Sequence, residues 1–371
     1  MKKSAIIQRE VWCLLGLPFD EINLTESVEH INQSISNKNK CFLSTPNLNF
    51  AIATQSDEAF YQSVLDSDLS VADGMPLIWV AKILGIPLPE RVAGSTLFEQ
   101  LFQQKQQTGK MKVFFFGGQE GVAEQAHLKV NENSPGMISC GFYDPGFVAV
   151  DEMSRPEIHN YINDAAPDFI VVALGARKGQ EWIQRNREAL NASTISHLGA
   201  VINFVAGQVE RAPLVWQQIG MEWLWRIRQE PSLWRRYFFD GLAFLKLIML
   251  NIIPLALYDR CLKLTESYKK PVELIIQQTD ITSVRLSGSL HHGDLRGIKE
   301  LFSEILLDGN HHNVELDCRQ LDYIDSALIG SLLLFQQYLN QQGRQIILSH
   351  LPCRIRCLLN LHNVLNRFQI G

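Results

Sequence analysis

Thr45-Pro46-Asn47, Val71-Ala72-Asp73-Gly74 and Glu90-Arg91-Val92-Ala93-Gly94 are three short clusters within a single stretch of the chain, Thr45 to Gly94. Leu43 precedes the first cluster, and Leu69 and Val71 lead into the second after a helix-length interval. Each cluster therefore falls where a short strand ends. In α/β proteins ligand groups gather at that end of a strand. One carboxylate, one guanidinium and small hydrogen-bonding side chains there suit an anionic substrate with a hydroxyl to deprotonate.

The pattern extends outward. Apolar runs of strand length at Val113 to Phe116, Phe169 to Leu174 and Ile195 to Leu198 alternate with helix-length segments at Gln180 to Leu190 and Leu214 to Arg228. This alternation predicts an α/β fold over residues 1–240, Rossmann-like, with a mostly parallel sheet covered by helices on both faces. Phe114-Phe115-Phe116-Gly117-Gly118 leads into a helix expected near Glu120, a place where backbone amides approach phosphate. The glycines do not form Gly-x-Gly-x-x-Gly, so a dinucleotide oxidoreductase is poorly supported.

Further clusters follow in order: Leu174-Gly175-Ala176, Gly179-Gln180-Glu181-Trp182, Gly199-Ala200, Arg211-Ala212-Pro213, then Gly220-Met221-Glu222-Trp223-Leu224-Trp225-Arg226 and Glu230-Pro231. Taken together with the opening clusters, they resemble the WecG/TagA/CpsF family of bacterial glycosyltransferases over residues 10–240. The resemblance implies an inverting transferase that moves a hexose, such as N-acetylmannosamine or its uronic acid, from a UDP-sugar to a polyprenyl-diphosphate-linked sugar in surface or exopolysaccharide biosynthesis. It makes Asp73 the catalytic base. Thr45, Asn47, Arg91, Gly117, Gly118, Gln180, Glu181, Arg211 and Arg226 become the substrate-binding residues. The chain departs from the family at Arg177-Lys178-Gly179-Gln180-Glu181, where Pro-Lys-Gln-Glu is common, which leaves open which polar side chain faces the nucleotide there.

The chemistry of such a transfer asks for a base at the acceptor hydroxyl and positive charge at the departing diphosphate. Asp73 followed by Gly74 suits the first, although an Asp-Gly turn uses the same residues. Arg91 suits the second, because a guanidinium forks onto phosphate oxygens. Asp66-Ser67-Asp68 matches the metal-binding Asp-x-Asp string, but it lies at a helix end ahead of the Asp73 strand. No metal or other cofactor is expected, and arginines take the metal's part.

Length and composition bound these readings. The chain has 371 residues, 46% hydrophobic and 20% charged, with a formal net charge of -5; it has room for two domains, and the negative balance argues against a general nucleic-acid binder. Its seven scattered cysteines read as reduced thiols of a cytoplasmic protein. Met1 to Glu10 has no sustained apolar core, so no secretory signal is expected. Arg211, Arg226, Arg228, Arg235 and Arg236 interleave with Trp216, Trp223, Trp225 and Trp234. Arginine and tryptophan at the edge of an apolar run have the composition of a membrane-interface surface. Gly241 to Leu257 is apolar but short of the about 20 residues of a spanning helix, so residues 241–270 are expected to form an interfacial helix and a linker. A peripheral location on the inner face of the cell membrane follows.

Residues 271–371 read as a smaller, separate α/β unit. Leu316-Asp317-Cys318 through Leu321-Asp322-Tyr323-Ile324-Asp325-Ser326-Ala327-Leu328-Ile329-Gly330 resembles a STAS domain. The regulated forms of that family carry Asp-Ser-Ser-Gly with the second serine phosphorylated; Ala327 stands at that place here and cannot accept phosphate. Ser326 is expected to cap the following helix, and the unit to dock a protein partner. A second reading of the whole chain is a regulatory scaffold that binds a nucleotide sugar without turning it over and acts through the STAS-like unit.

Overall fold

A computed structural model describes residues 8–105, 109–218, 220–278, 282–308 and 312–371. Most of the N-terminal run read for a signal lies outside them. The chain divides into two compact units, one made of Ile22–Ile78 and Pro89–Gly241, the other of Met1–Glu21, Trp79–Leu88 and Leu242–Gly371.

The first unit is built on six parallel strands in the order β4-β3-β8-β7-β5-β6. These are β3 (Cys41–Ser44), β4 (Leu69–Ser70), β5 (Met111–Gly117), β6 (Met137–Tyr143), β7 (Phe169–Ala173) and β8 (Thr194–His197). The alternation of side chains along a strand sends Val113 and Phe115 into one core and Phe114 and Phe116 into another. Both faces are therefore covered, as the run of five buried residues in β7 requires. Burial of each phenylalanine contributes about 1.5–3 kcal/mol. The expected helix from Leu214 to Arg228 is two helices, Leu214–Gln218 and Glu222–Gln229. The break falls at Gly220, whose φ of 76° leaves the helical region.

The second unit has a five-stranded sheet in the order β13-β12-β11-β10-β9, parallel except for the antiparallel pair β9 (Glu273–Gln278) and β10 (Thr282–Leu290). β11 is Val314–Ile324, β12 Ile346–Ser349 and β13 Gln369–Ile370. The helix Ser326–Gln341 is buried without interruption from Ala327 to Leu339. Part of its cover is the N-terminal hairpin of β1 (Val11–Leu14) and β2 (Leu17–Asp20), whose eight strand residues are all buried. The hairpin turn, Leu15-Gly16, has φ of 53° and 85° at its two central residues, the type I′ requirement. Gly330 makes the contact possible: a Cβ there would lie 3.1 Å from the Cys13 backbone nitrogen and 3.2 Å from the Trp12 carbonyl carbon. Trp12 stacks on His292 at 4.9 Å between ring centroids, and buried Lys299 pairs with Glu10 at 2.9 Å. The first strands of the sequence thus complete the core of its last domain.

Ser326 does not cap its helix. The cap is Asp325, whose Oδ1 accepts from the Leu328 amide at 2.9 Å, while Ser326 opens the first turn. Aspartate precedes serine at the turn and has the extended backbone that a cap needs.

Pro231–Lys263 is a continuous helical stretch of 33 residues, interrupted in pattern by a π segment at Ile248–Ile252. At 1.5 Å per residue it is about 50 Å long. By length and composition it is long and apolar enough to cross a membrane, because the helix extends on both sides of the apolar run Gly241 to Leu257. Phe238, Leu242, Leu245, Met249, Ile253 and Leu257 recur at intervals of three or four and are all exposed, forming an apolar stripe.

Candidate active site

β3 and β4 end side by side, and their following turns are tied together. The Val71 amide donates to the Ser44 carbonyl at 3.0 Å and the Asp73 amide to the Pro46 carbonyl at 2.9 Å. The third cluster joins them through the Val92 amide and the Ala72 carbonyl, also 3.0 Å. Gly74 permits the geometry: its φ of 134° is closed to ordinary side chains, and it turns the chain into the Met75–Leu84 helix.

Asp73 is partly buried, and the Gly94 amide, the first of the Gly94–Gln103 helix, donates to its carboxylate. Loss of water raises its pKa above the ordinary aspartate value. Arg91 and Arg226 oppose that rise, and Glu222 adds to it. Arg91 Nη2 pairs with Glu222 Oε2 at 3.0 Å, both side chains largely enclosed. Glu222 and Arg226 are four residues apart on one helix and so share a face. The arrangement is a carboxylate of raised basicity within the field of two guanidiniums, one of them held by a second carboxylate.

Thr45 is buried beside Gly94, where a Cβ would meet its Oγ1 at 3.5 Å. Asn47 caps the Leu48–Ala53 helix through the Phe50 amide. Gln180 is fully buried and donates to Ser44 Oγ at 2.8 Å, bracing the residue just ahead of Thr45. Glu181 lies on the exposed side of the same helix. Gln180 thus turns inward and Glu181 outward.

Arg211 bonds the first turn of the Gly94 helix, at 2.9 Å to Thr96 Oγ1 and 3.4 Å to Ser95 Oγ, and pairs with Glu99. Gly117 and Gly118 end β5, four strand positions from β4, which at 4.8 Å per strand is about 19 Å along the sheet edge. The Gly118 amide donates to the Ala173 carbonyl at 2.8 Å, so that amide serves the junction of β5 with β7. The helix after it starts at Val122. Of the Asp-x-Asp string, Asp68 accepts from the Phe42 amide at 2.7 Å and Asp66 from the Gln184 side chain. Those carboxylates secure β3 and the helix after β7.

Two residues of the site escaped the sequence reading. Glu222 lay within the quoted Gly220-to-Arg226 string, and its spacing from Arg226 was the available signal. His197 ends β8 and bonds the Leu174 carbonyl through Nε2 at 2.6 Å; burial holds its pKa below the ordinary histidine value. A polar residue closing a buried strand marked it.

The model of the glycosyl transferase WecG/TagA/CpsF family matches residues 12–256, more than half of the chain. The chain belongs to this family. It is a glycosyltransferase, and a STAS domain occupies residues 274–371. Among its relatives are enzymes named N-acetylglucosaminyldiphosphoundecaprenol N-acetyl-beta-D-mannosaminyltransferase. That of Bacillus spizizenii is 30% identical over 222 residues, 59% of this chain and 84% of the relative. That of Bacillus subtilis is 25% identical over 222 residues, covering 60% and 84%. That of Staphylococcus aureus strain MW2 is 24% identical over 225 residues, covering 60% and 85%. The family match begins inside the N-terminal hairpin, which packs in the compact unit of the STAS domain.

Proposed function

We propose that this glycosyltransferase moves a hexose with inversion from a UDP-sugar to a polyprenyl-diphosphate-linked sugar, at the inner face of the cell membrane. The donor sugar is N-acetylmannosamine, its uronic acid or another hexose. The observation that carries the reading is the Asp73 carboxylate, raised in pKa, held by the Gly94 amide and flanked by Arg91 and Arg226. In this mechanism Asp73 takes the proton of the acceptor hydroxyl as its oxygen attacks the anomeric carbon from the face opposite the diphosphate. The bond from that carbon to the diphosphate oxygen breaks, and UDP leaves with its charge met by Arg91 and Arg226. Thr45 and Asn47 line the approach, and Gln180 keeps the Thr45 turn in place.

The exposed apolar stripe on Pro231–Lys263 supports membrane attachment, and Trp234 with Arg235 supplies an interface pair, the guanidinium 5.8 Å from the ring centroid. The STAS domain supports docking of a protein partner. To test the reaction, the full chain is incubated with a panel of UDP-sugars and a short-chain lipid-diphosphate-GlcNAc, with products read by mass spectrometry. A disaccharide product with inverted anomeric configuration is expected. Retention of configuration, or no product from any donor, refutes the proposal.

A further inference from the structure

Beside the Asp73 cluster the first unit contains a cavity of about 290 Å³, bounded by residues of the Gly94–Gln103, Val122–Asn133 and Val201–Val205 helices. Its walls are apolar: Phe98, Phe102, Val201, Phe204, Val205 and Val209. Its polar lining includes two cations, Lys129 and Arg211, against one carboxylate, Glu99, which Arg211 engages. Among the described residues no carboxylate pairs with Lys129.

The cavity and the catalytic cluster share two elements. The Gly94 amide that holds Asp73 is followed at once by Ser95, which lines the cavity and bonds Arg211. Phe204 of the wall packs against Arg226 with the guanidinium carbon 5.5 Å from its ring centroid, and Arg226 is one of the two charges acting on Asp73. An apolar chamber with a net positive rim beside the base fits an amphiphile: an apolar chain inside and an anionic head at the cations. It does not fit a nucleoside, whose base and ribose need many more hydrogen-bonding groups than Ser95, Gln103 and Asn133 supply.

We infer that this cavity seats the isoprenoid units next to the diphosphate of the lipid acceptor, with Arg211 and Lys129 facing the diphosphate. The inference rests on the proposed reaction for the identity of the acceptor and adds where its chain is held. It makes the acceptor site distinct from the donor site, with the Gly94 helix as their common wall.

The probe is farnesyl diphosphate, an apolar chain on a diphosphate with no sugar, titrated calorimetrically into the full chain, with inorganic diphosphate as the control. Val205→Trp fills the chamber and Lys129→Glu reverses one rim charge at an exposed position. Loss of contact with about two methylenes of chain corresponds to about a tenfold weaker dissociation constant. Farnesyl diphosphate is expected to bind at least that much more weakly to each variant, with inorganic diphosphate unaffected by Val205→Trp. In turnover, Val205→Trp is expected to raise KM for a farnesyl-diphosphate-GlcNAc acceptor while KM for the UDP-sugar holds. Unchanged farnesyl diphosphate binding in both variants overturns the inference, whether or not the wild-type chain transfers sugar. Absence of transfer by a wild-type chain whose farnesyl diphosphate binding responds to both substitutions counts against the proposed reaction and leaves the chain site standing.

Discussion

Asp73 and Asp325 look alike locally: each lies past the end of a strand, each precedes a small residue and a helix, and burial raises the pKa of both. Their partners differ. Asp325 spends one oxygen on the Leu328 amide and the other on the His292 amide at 2.9 and 2.6 Å, so both are committed to holding backbone. Asp73 receives the Gly94 amide, and its remaining influences are the charges of Arg91, Arg226 and Glu222. A buried carboxylate with its oxygens committed to amides is a fastener, whereas one set among charges retains the capacity to exchange a proton.

The largest expected effect separates these two roles. Asp73→Asn keeps shape and removes basicity, so kcat is expected to fall about 100-fold to 10,000-fold with thermal unfolding unchanged. Asp325→Ala is expected to do the reverse, costing about 1 kcal/mol of stability for the lost cap with kcat near wild type. Steady-state rates paired with denaturant titrations measure both; a rate loss in the Asp325 variant as large as that of Asp73→Asn breaks the distinction.

Next in size is the hairpin. A fragment of residues 271–371 lacks the cover that Val11, Leu14, Leu17 and Phe19 provide, each burial worth about 1.5–3 kcal/mol. Residues 8–21 supplied on a flexible linker are expected to raise its melting temperature, and equal melting of the two fragments refutes the pairing. Removing 271–371 from the whole chain likewise strips the hairpin of its support, so loss of soluble protein is the expected result.

His362 sharpens the comparison on the pH axis. Burial lowers its pKa from 6.5 to about 4. Between those values the unfolded chain binds a proton that the native one refuses, so this contribution is intact above pH 6.5 and is lost as pH falls toward 4. The slope is about 1.4 kcal/mol per unit. Denaturation across that range should show it, and His362→Gln should flatten it.

The smallest effect is a displaced pH profile. The acid limb of kcat/KM reports Asp73 and should lie above the range of a free aspartate. Glu222→Gln removes a negative charge that resists ionisation, so the limb moves to lower pH; Arg226→Gln removes a positive one, and it moves to higher pH. Limbs that stay fixed in both variants remove Asp73 as the titrating group.

Several of these features were legible in the sequence because they are local. The three clusters and the β5 and β7 runs are set by turn chemistry and side-chain period within a few residues. Asp325 as cap was within reach too, but serine and aspartate stand side by side and only the backbone angles choose between them. Gln180 and Glu181 are likewise neighbours, and the helix face decides which reaches Ser44.

By itself the sequence determined an α/β transferase domain and a STAS domain after it, because strand ends, turns and alternation are written in short windows. Tertiary structure alone decided that β1 and β2 pack on a helix more than 300 residues later in the chain, that Glu222 reaches Arg91, and that Phe204 joins the cavity wall to Arg226. Such pairings depend on which distant surfaces can bury area together, and no local period records that choice.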